Sequence, residues 1–205
     1  MGRIRGLLWR FVGGDQARWT TREIVVGAVL GVAVGVIFWA WGLLWSTAFQ
    51  AVPFPASYLL VGLWMMGGLL VPYVVRRPGA ALLGELVAAF VSMLLGNQWG
   101  LATMLSGLVQ GVGAELVFGA FRWRRYSLPV MLGAGALAGM LSILFDSFFY
   151  GYWQAYTGNT ILVGVALVAV SGALLGGLAS KLLGDALART GVLAGLGISR
   201  DRRPS

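Results

Sequence analysis

The chain consists of long apolar segments separated by short polar stretches. Six such segments can be delimited, at residues 24–48, 58–75, 79–95, 101–121, 128–150 and 161–183. Each is long enough for an α-helix to cross a bilayer, which takes about 20 residues, with some tilt in the longer ones. None alternates strictly between apolar and polar residues, as the strands of outer-membrane β-barrels do. The pattern predicts an all-α fold, a single membrane domain in which six transmembrane helices form a bundle.

Composition supports this prediction and excludes several classes of function. Apolar residues make up 59% of the chain and charged residues 11%, against about 45–50% and 25% in soluble domains. The mean hydropathy is +0.84. The chain contains no cysteine and no histidine, which excludes disulfides, thiol nucleophiles and histidine acid–base chemistry. We therefore expect no catalytic residue, no metal site and no cofactor in this chain.

Basic residues are confined to four places along the chain. They are Arg3, Arg5, Arg10, Arg18 and Arg22 before the first segment, Arg76 and Arg77 after the second, Arg122, Arg124 and Arg125 after the fourth, and Lys181, Arg189, Arg200, Arg202 and Arg203 at the C-terminal end. Because Lys- and Arg-rich connections stay on the cytoplasmic side, both termini are predicted to be cytoplasmic in a multi-pass protein of the cell membrane. The net charge of +8 then reflects topology and contact with membrane lipid, and nucleic acid is not an expected partner.

Three acidic residues lie inside the predicted spans: Glu85, Glu115 and Asp146. A charged side chain there costs about 2.5–3.5 kcal/mol even on the mildest scale, and no Lys or Arg lies near a span centre to compensate it. At 1.5 Å per residue, Glu85 and Glu115 lie about 9 and 10 Å from the same membrane face, so they are predicted to share a depth. These acids either bind a ligand or serve as neutral acids bonded to neighbouring groups. Outside the spans, Asp185 is expected to pair with Arg189.

Aromatic and amide side chains gather at the uncharged end of the predicted bundle. A short uncharged loop, Asn97-Gln98-Trp99, joins the two helices that carry Glu85 and Glu115. An interfacial aromatic belt explains many of the rings at this end, but it does not explain this loop. Carboxylates, amides and ring faces together suit a cationic, planar, heteroaromatic ligand. The candidate substrate-binding residues are Trp45, Trp64, Glu85, Asn97, Gln98, Trp99, Gln110, Glu115, Asp146 and Tyr150, with Trp153 as a further stacking candidate.

Small residues form a stripe along the first helix, at Gly27, Gly31 and Gly35. Glycines spaced by four residues let another helix approach closely. Two interpretations are open: the stripe packs inside the bundle, or it docks a separate membrane partner. A bundle of this size has little need of so long a glycine face internally, so partner docking is retained as the prediction.

Several longer motifs resemble those of the YkoE family. They are residues 77–82 (RPGAAL) followed by Glu85, 95–97 (LGN), 109–118 (VQGVGAELVF), 122–123 (RW), 126–130 (YSLPV), 171–175 (SGALL) and 190–193 (TGVL). Together they cover most of the chain from the first helix onward. Their length makes them typical of this family rather than of membrane proteins in general.

The resemblance implies a function, a substrate and partners. YkoE-like proteins are S-components, the substrate-binding membrane subunits of energy-coupling factor (ECF) transporters, which are ABC-type importers. The implied substrate is a vitamin, thiamine or its hydroxymethylpyrimidine (HMP) precursor. The implied partners are a transmembrane coupling (T) subunit and ABC-type ATPase subunits, which use ATP and Mg. Gly27, Gly31 and Gly35 occupy the place of the small-residue face through which such proteins dock the coupling subunit.

The residues also allow two other classes of function. The single lysine, Lys181, is not part of a glycine-rich P-loop, so this chain itself is not expected to hydrolyse a nucleotide. An ion-coupled secondary transporter of a small organic cation would use Glu85 and Glu115 as titrating groups. An intramembrane hydrolase would use paired carboxylates, although the chain offers neither a histidine base nor a serine motif beside one.

The predicted orientation can be tested by cysteine labelling, because the chain has no cysteine of its own. Tyr156→Cys, in an uncharged connection, should react with an impermeant thiol reagent added outside intact cells. Arg124→Cys, in a basic connection, should react only after the membrane is permeabilised. The reverse labelling pattern would contradict the predicted topology.

Overall fold

The computed structural model describes residues 18–53, 55–151, 154 and 157–200. Some predictions concern residues outside the described ranges. These residues are Trp153, Tyr156 and the arginines near the two ends of the chain, which are Arg3, Arg5, Arg10, Arg202 and Arg203. The described residues are mostly helical and include no strand. The predicted all-α fold is confirmed.

The described residues contain eight α-helices and three helices of other types. The α-helices are α1 (Thr21–Ser46), α2 (Gly67–Val75), α3 (Ala80–Leu94), α4 (Ala102–Ala120), α5 (Leu128–Phe149), α6 (Gly158–Ser171), α7 (Ala179–Arg189) and α8 (Gly197–Arg200). Two 3₁₀ helices, Ala48–Ala51 and Ala56–Met65, follow α1, and a π-helix, Gly172–Leu178, joins α6 to α7. The second crossing, Ala56–Val75, and the last crossing, Gly158–Arg189, therefore each combine more than one type of helix.

Five of the six predicted spans are long and apolar enough to cross a membrane. The exception is α3, because its 15 residues reach only about 22 Å, less than the hydrocarbon core of about 30 Å. Glycines with positive φ bound this helix, Gly79 (φ 82°) before it and Gly96 (φ 85°) after it. The connection that follows α3 is largely exposed, but its Trp99 ring packs against Gly42 of α1.

The glycine face of α1 packs against α3 of the same chain. A Cβ atom at Gly31 would lie 2.9 Å from Val87, and one at Gly35 would lie 2.6 Å from Val91. Gly27, Gly31 and Gly35 are all buried in this contact. The prediction that they dock a separate subunit is therefore wrong, because α3 already occupies the groove that the stripe forms. Helical spacing identified a face for close packing but not which helix packs there.

The last crossing meets its neighbours by direct backbone contact. A Cβ atom at Gly135 of α5 would overlap the carbonyl oxygen of Gly172, and one at Gly62 would overlap that of Ser171. The Ser171 hydroxyl accepts a hydrogen bond from the Gly62 N–H at 2.8 Å and donates one to the Leu59 carbonyl at 2.6 Å. The π-helix begins directly after this serine. At these positions the second crossing and α5 each meet the backbone of the last crossing directly.

The segment before α1 and the connection after α2 both carry arginines, and they meet at one end of the bundle. This end is called the basic end. Glu23, in the first turn of α1, is buried and forms an ion pair of 2.9 Å with Arg77. This acid had no predicted role, because only the fold brings the two residues together. The chain beyond α7 closes the same end, where Leu193, Leu196 and Ile198 are buried in the core.

Asp185 bonds differently from the prediction. Its carboxylate accepts hydrogen bonds from Lys181 at 2.8 Å and from the Tyr73 hydroxyl. Arg189 instead donates to the backbone carbonyl of Asp185, at 3.3 Å. Tyr73 reaches the carboxylate because its ring packs directly on Gly184. The predicted Asp185–Arg189 pair is therefore wrong, and the bonds that form tie α7 to α2.

Gly135→Ala should destabilise the protein, because the added methyl group overlaps the Gly172 carbonyl and the two backbones must move apart. Overpacking of a core costs about 1–3 kcal/mol. Gly133→Ala, on the same helix, is the matched control, because nothing lies within 4 Å of its added methyl group. It should be neutral or slightly stabilising. Thermal unfolding in detergent compares the two variants, and equal midpoints would contradict the backbone contact.

Candidate functional site

A cavity of about 430 Å³ lies at the end of the bundle opposite the basic end. The end of α1, the 3₁₀ helix Ala56–Met65, the connection after α3 and the facing sides of α3, α4 and α5 all contribute to its walls. Eight of the ten candidate binding residues line it: Trp45, Trp64, Glu85, Asn97, Trp99, Gln110, Asp146 and Tyr150. The fold thus gathers at one place residues that are far apart in the sequence, and their role in binding stays a prediction.

Three tryptophans from three different elements form one wall of the cavity. The Trp64 ring meets the Trp45 ring edge to face at a centroid distance of 5.2 Å. It meets the Trp99 ring in the same way, also at 5.2 Å. Edge-to-face pairs of this kind are favourable because the positive edge of one ring meets the negative face of the other. The wall offers indole rings to a planar or cationic ligand.

A second wall is polar and lies between α4 and α5. The Asp146 carboxylate accepts hydrogen bonds from the Ser106 hydroxyl at 3.2 Å and from the Ser142 hydroxyl at 3.5 Å. The Gln110 amide donates to Ser142 at 2.9 Å. All four side chains line the cavity. Two neutral hydroxyl donors therefore hold this carboxylate in the bundle, and the Gln110 amide donates to one of those hydroxyls.

Glu85 lies at the deep end of the cavity and is 1% exposed. Its carboxylate accepts a hydrogen bond from the backbone N–H of Gly68, in the first turn of α2. Such an N–H has no partner within its own helix, and the positive end of the helix dipole favours a negative charge beside it. Gly107 and Gly111 of α4 leave room for the side chain. Glu85 thus caps a helix that begins inside the bundle.

Asn97 lines the cavity and also holds the connection between α3 and α4 in place. Its Oδ1 accepts hydrogen bonds from the Trp99 N–H at 3.0 Å, the Gly100 N–H at 2.9 Å and the Thr103 hydroxyl at 3.0 Å. Its Nδ2 donates to the Ser92 hydroxyl at 3.1 Å. These four bonds set the position from which Trp99 reaches the aromatic wall.

Glu115 does not line the cavity. Its carboxylate accepts hydrogen bonds from the Ala81 N–H at 2.9 Å and from the Trp123 indole N–H at 2.7 Å, so it caps the first turn of α3. Glu85 packs beside Gly111, which precedes Glu115 by one helical turn. Both the predicted ligand contact of Glu115 and the predicted shared depth of the two glutamates are therefore wrong, because Glu115 lies one turn nearer the basic end.

Gln98 also lies outside the cavity lining, because its side chain is exposed at the end of the bundle. Its predicted ligand contact stays a prediction. In turn, the cavity includes residues that were not predicted, among them Phe38, Phe49 and Ser106. The sequence did contain a signal for Ser106, because this residue precedes Gln110 by four positions and therefore shares its helical face. Phe38 had none, because an apolar ring on an apolar helix is the ordinary pattern of a core.

The cavity combines acidic side chains with aromatic surface. Its described lining includes two carboxylates and neither Lys nor Arg. Within the part of the chain that the structure describes, no three His, Cys, Asp or Glu residues come together to hold a metal. Carboxylates accept hydrogen bonds from amines, and indole faces attract cations. The arrangement therefore suits a small organic molecule with an amine and a planar or cationic ring.

The chain is similar to known transporter subunits over most of its length. Residues 22–141 match the family described as ABC-type cobalt transport system, permease component. YkoE of Bacillus subtilis (strain 168), named as an HMP/thiamine permease protein, is 38% identical over 186 residues, which cover 89% of this chain and 92% of that protein. A crystal structure described as an S-component of an ECF transporter matches with a TM-score of 0.85 at 37% identity, over 90% of this chain and 93% of that one.

The chain belongs to the YkoE-like S-components of ECF transporters. This S-component is an integral membrane protein and the substrate-binding subunit of an importer. An S-component binds a small molecule and works with ECF transmembrane and ATPase subunits. Its relatives are transporter subunits rather than enzymes.

Asn97→Ala should destabilise this S-component, because three donors lose their shared acceptor at once. We expect a loss of about 1–3 kcal/mol in the free energy of unfolding. Gln98→Ala is the matched control, since its exposed side chain should contribute less than about 0.5 kcal/mol. Thermal unfolding followed by tryptophan fluorescence measures both variants. A Gln98→Ala effect as large as that of Asn97→Ala would contradict the role given to Asn97.

Proposed function

We propose that this S-component binds thiamine and its HMP precursor in the cavity beside the three tryptophans. The observation that carries the proposal is the presence of two carboxylates and three indole rings in one cavity whose described lining has no basic residue. The name of the Bacillus subtilis relative, an HMP/thiamine permease protein, supports the same class of substrate.

The chemistry of these ligands matches the cavity. Thiamine joins an aminopyrimidine ring to a positively charged thiazolium ring, and HMP contains the aminopyrimidine part alone. Carboxylates accept hydrogen bonds from the exocyclic amine, while indole faces attract the cationic ring. A volume of about 430 Å³ lies within the range of small-molecule sites. Because the described lining lacks Lys and Arg, the unphosphorylated forms are the proposed ligands.

The two acids have different proposed roles. Glu85 lies at the deep end of the cavity and accepts a hydrogen bond from the exocyclic amine, which both ligands carry. Asp146 lies one turn from the outer end of α5, near Tyr150, and balances the thiazolium charge. HMP has no thiazolium ring, so its binding depends on Glu85 and much less on Asp146.

The proposed orientation places the basic end in the cytoplasm and the cavity on the outer side of the cell membrane. The distribution of Lys and Arg along the chain supports this orientation. A vitamin bound from outside is then carried inward with the help of a transmembrane coupling (T) subunit and of ABC-type ATPase subunits, which use ATP and Mg. No cofactor is assigned to this chain.

Two other functions fit the site less well. The description of the matching family names cobalt transport. Proteins usually bind cobalt through His, Cys or several carboxylates. The chain has no His or Cys, and only Glu85 and Asp146 supply carboxylates to the described lining. An ion-coupled carrier would need Glu115 as a titrating group. That carboxylate instead accepts two hydrogen bonds outside the cavity.

Glu85→Gln should weaken binding of both thiamine and HMP at least tenfold, or about 1.4 kcal/mol, because a carboxylate acceptor is lost at the amine. Asp146→Asn should weaken thiamine binding by a similar factor and HMP binding much less. Calorimetric titration of each ligand into the purified variants in detergent measures these affinities. Equal losses for the two ligands in Asp146→Asn would contradict the role assigned to this acid.

Glu115→Gln is the matched control for both variants. It makes the same chemical change at a half-buried carboxylate of the same bundle but outside the cavity, so both affinities should be retained. If Glu85→Gln and Asp146→Asn also retain both affinities, the cavity is not the vitamin site. Mass spectrometry of small molecules that co-purify with the wild-type chain provides an independent check, and a compound of another class would contradict the proposed substrate.

A further inference from the structure

We infer that the turn between α4 and α5 binds the headgroup of an anionic phospholipid. This turn, residues 121–127, is called the arginine turn below. It carries three exposed basic side chains within four positions, those of Arg122, Arg124 and Arg125. Arg76 adds positive charge nearby, since its guanidinium lies 5.1 Å from the ring centroid of Tyr126. The inference does not depend on the proposed vitamin substrate.

The arginine turn has an unusual backbone conformation. Arg122 and Trp123 are consecutive non-glycine residues with positive φ angles, 55° and 53°. L-amino acids rarely adopt such angles, and residues that do so concentrate at functional positions. Two backbone hydrogen bonds of 2.8 Å hold the conformation, from the Arg122 N–H to the Gly119 carbonyl and from the Trp123 N–H to the Phe118 carbonyl.

A side-chain contact clamps the turn against the bundle. The Trp123 indole donates a hydrogen bond to the Glu115 carboxylate at 2.7 Å, and its ring packs on Gly119. The other carboxylate oxygen accepts from the Ala81 N–H of α3. Glu115 is thus turned toward α3 and the indole rather than toward the exposed guanidinium groups. The exposed side chains of Arg124 and Arg125 therefore extend from a fixed turn.

Exposed apolar side chains flank the arginine turn. Leu116 is 57% exposed, and Phe121 and Leu128 are each 39% exposed. In a membrane protein, apolar side chains at helix ends meet acyl chains, while tryptophan and arginine lie at the level of the headgroups. A guanidinium group binds phosphate through two parallel hydrogen bonds. The arginine turn thus places groups that bind phosphate next to groups that contact acyl chains. This combination favours a phospholipid as the ligand over a free phosphate or an acidic protein.

The test uses the full chain in detergent and native mass spectrometry, with phosphatidylglycerol and phosphatidylcholine of matched acyl chains. The wild type should bind phosphatidylglycerol more tightly, and this preference should decrease as salt is added. Arg124→Gln combined with Arg125→Gln should weaken phosphatidylglycerol binding about fivefold or more, since each basic side chain contributes through its charge. Binding of phosphatidylcholine should not change.

Two further variants separate the site from general charge attraction. Arg18→Gln combined with Arg189→Gln removes the same charge at exposed positions outside the arginine turn, and it should keep the lipid preference. Trp123→Phe keeps all three arginines but removes the indole donor to Glu115, so it should weaken the preference. Glycerol 3-phosphate, which has the charge but no acyl chains, should compete poorly with the lipid.

Each contrary result would overturn the inference. Equal losses in the two double variants would show general charge attraction, and an unchanged preference in Trp123→Phe would show that the clamp has no part in it. Glycerol 3-phosphate that competes as well as the lipid would identify a free-phosphate site. A further outcome combines two results: the wild type shows no preference between the two lipids, and the double variant Arg124→Gln with Arg125→Gln disrupts transporter assembly. In that case the turn is a protein interface and not a lipid site.

Discussion

Contact between helix backbones, which only glycine permits, is the interaction on which the rest of this structure depends. In a bilayer, helices gain little from the hydrophobic effect when they associate, so packing and hydrogen bonding must hold them together. Gly135 lets α5 meet the backbone of the last crossing at Gly172, and Gly62 lets the second crossing meet it at Ser171. These contacts hold the 3₁₀ helix Ala56–Met65 in place, and that helix carries Trp64 to the aromatic wall of the cavity.

The acidic residues of the bundle show how a chain without bases near its span centres can keep carboxylates there. Glu115 accepts hydrogen bonds from a helix N-terminus and an indole, and Glu85 accepts one from the first turn of α2. Asp146 is held by two serine hydroxyls. Since unpaired buried polar groups are heavily penalised, each acid needs such donors simply to be accommodated. What distinguishes Glu85 and Asp146 is that they also border a cavity.

The two ends of the bundle differ in chemistry. One end carries the arginine-bearing connections, the buried Glu23–Arg77 ion pair and the C-terminal segment that packs into the core. The other end carries the cavity, its tryptophans and the short connection held by Asn97. The short α3 links the two ends, because Gly79 and Gly96 limit its length and bring the connection after it into the cavity wall. The difference between the ends matches a subunit that receives a small molecule on one side of a membrane.

The sequence by itself determined the all-α class, the six apolar segments, the placement of positive charge and the residue types of the cavity. These follow from composition and from helical periodicity, which are local properties of the chain. Only the tertiary structure decided that α3 covers Gly27, Gly31 and Gly35, that Glu115 caps α3 and that Asp185 bonds to Lys181 and Tyr73. The physical reason is that periodicity shows which residues share a helical face. Which neighbour fills that face, and at what depth, depends on close backbone packing between segments that are distant in the sequence.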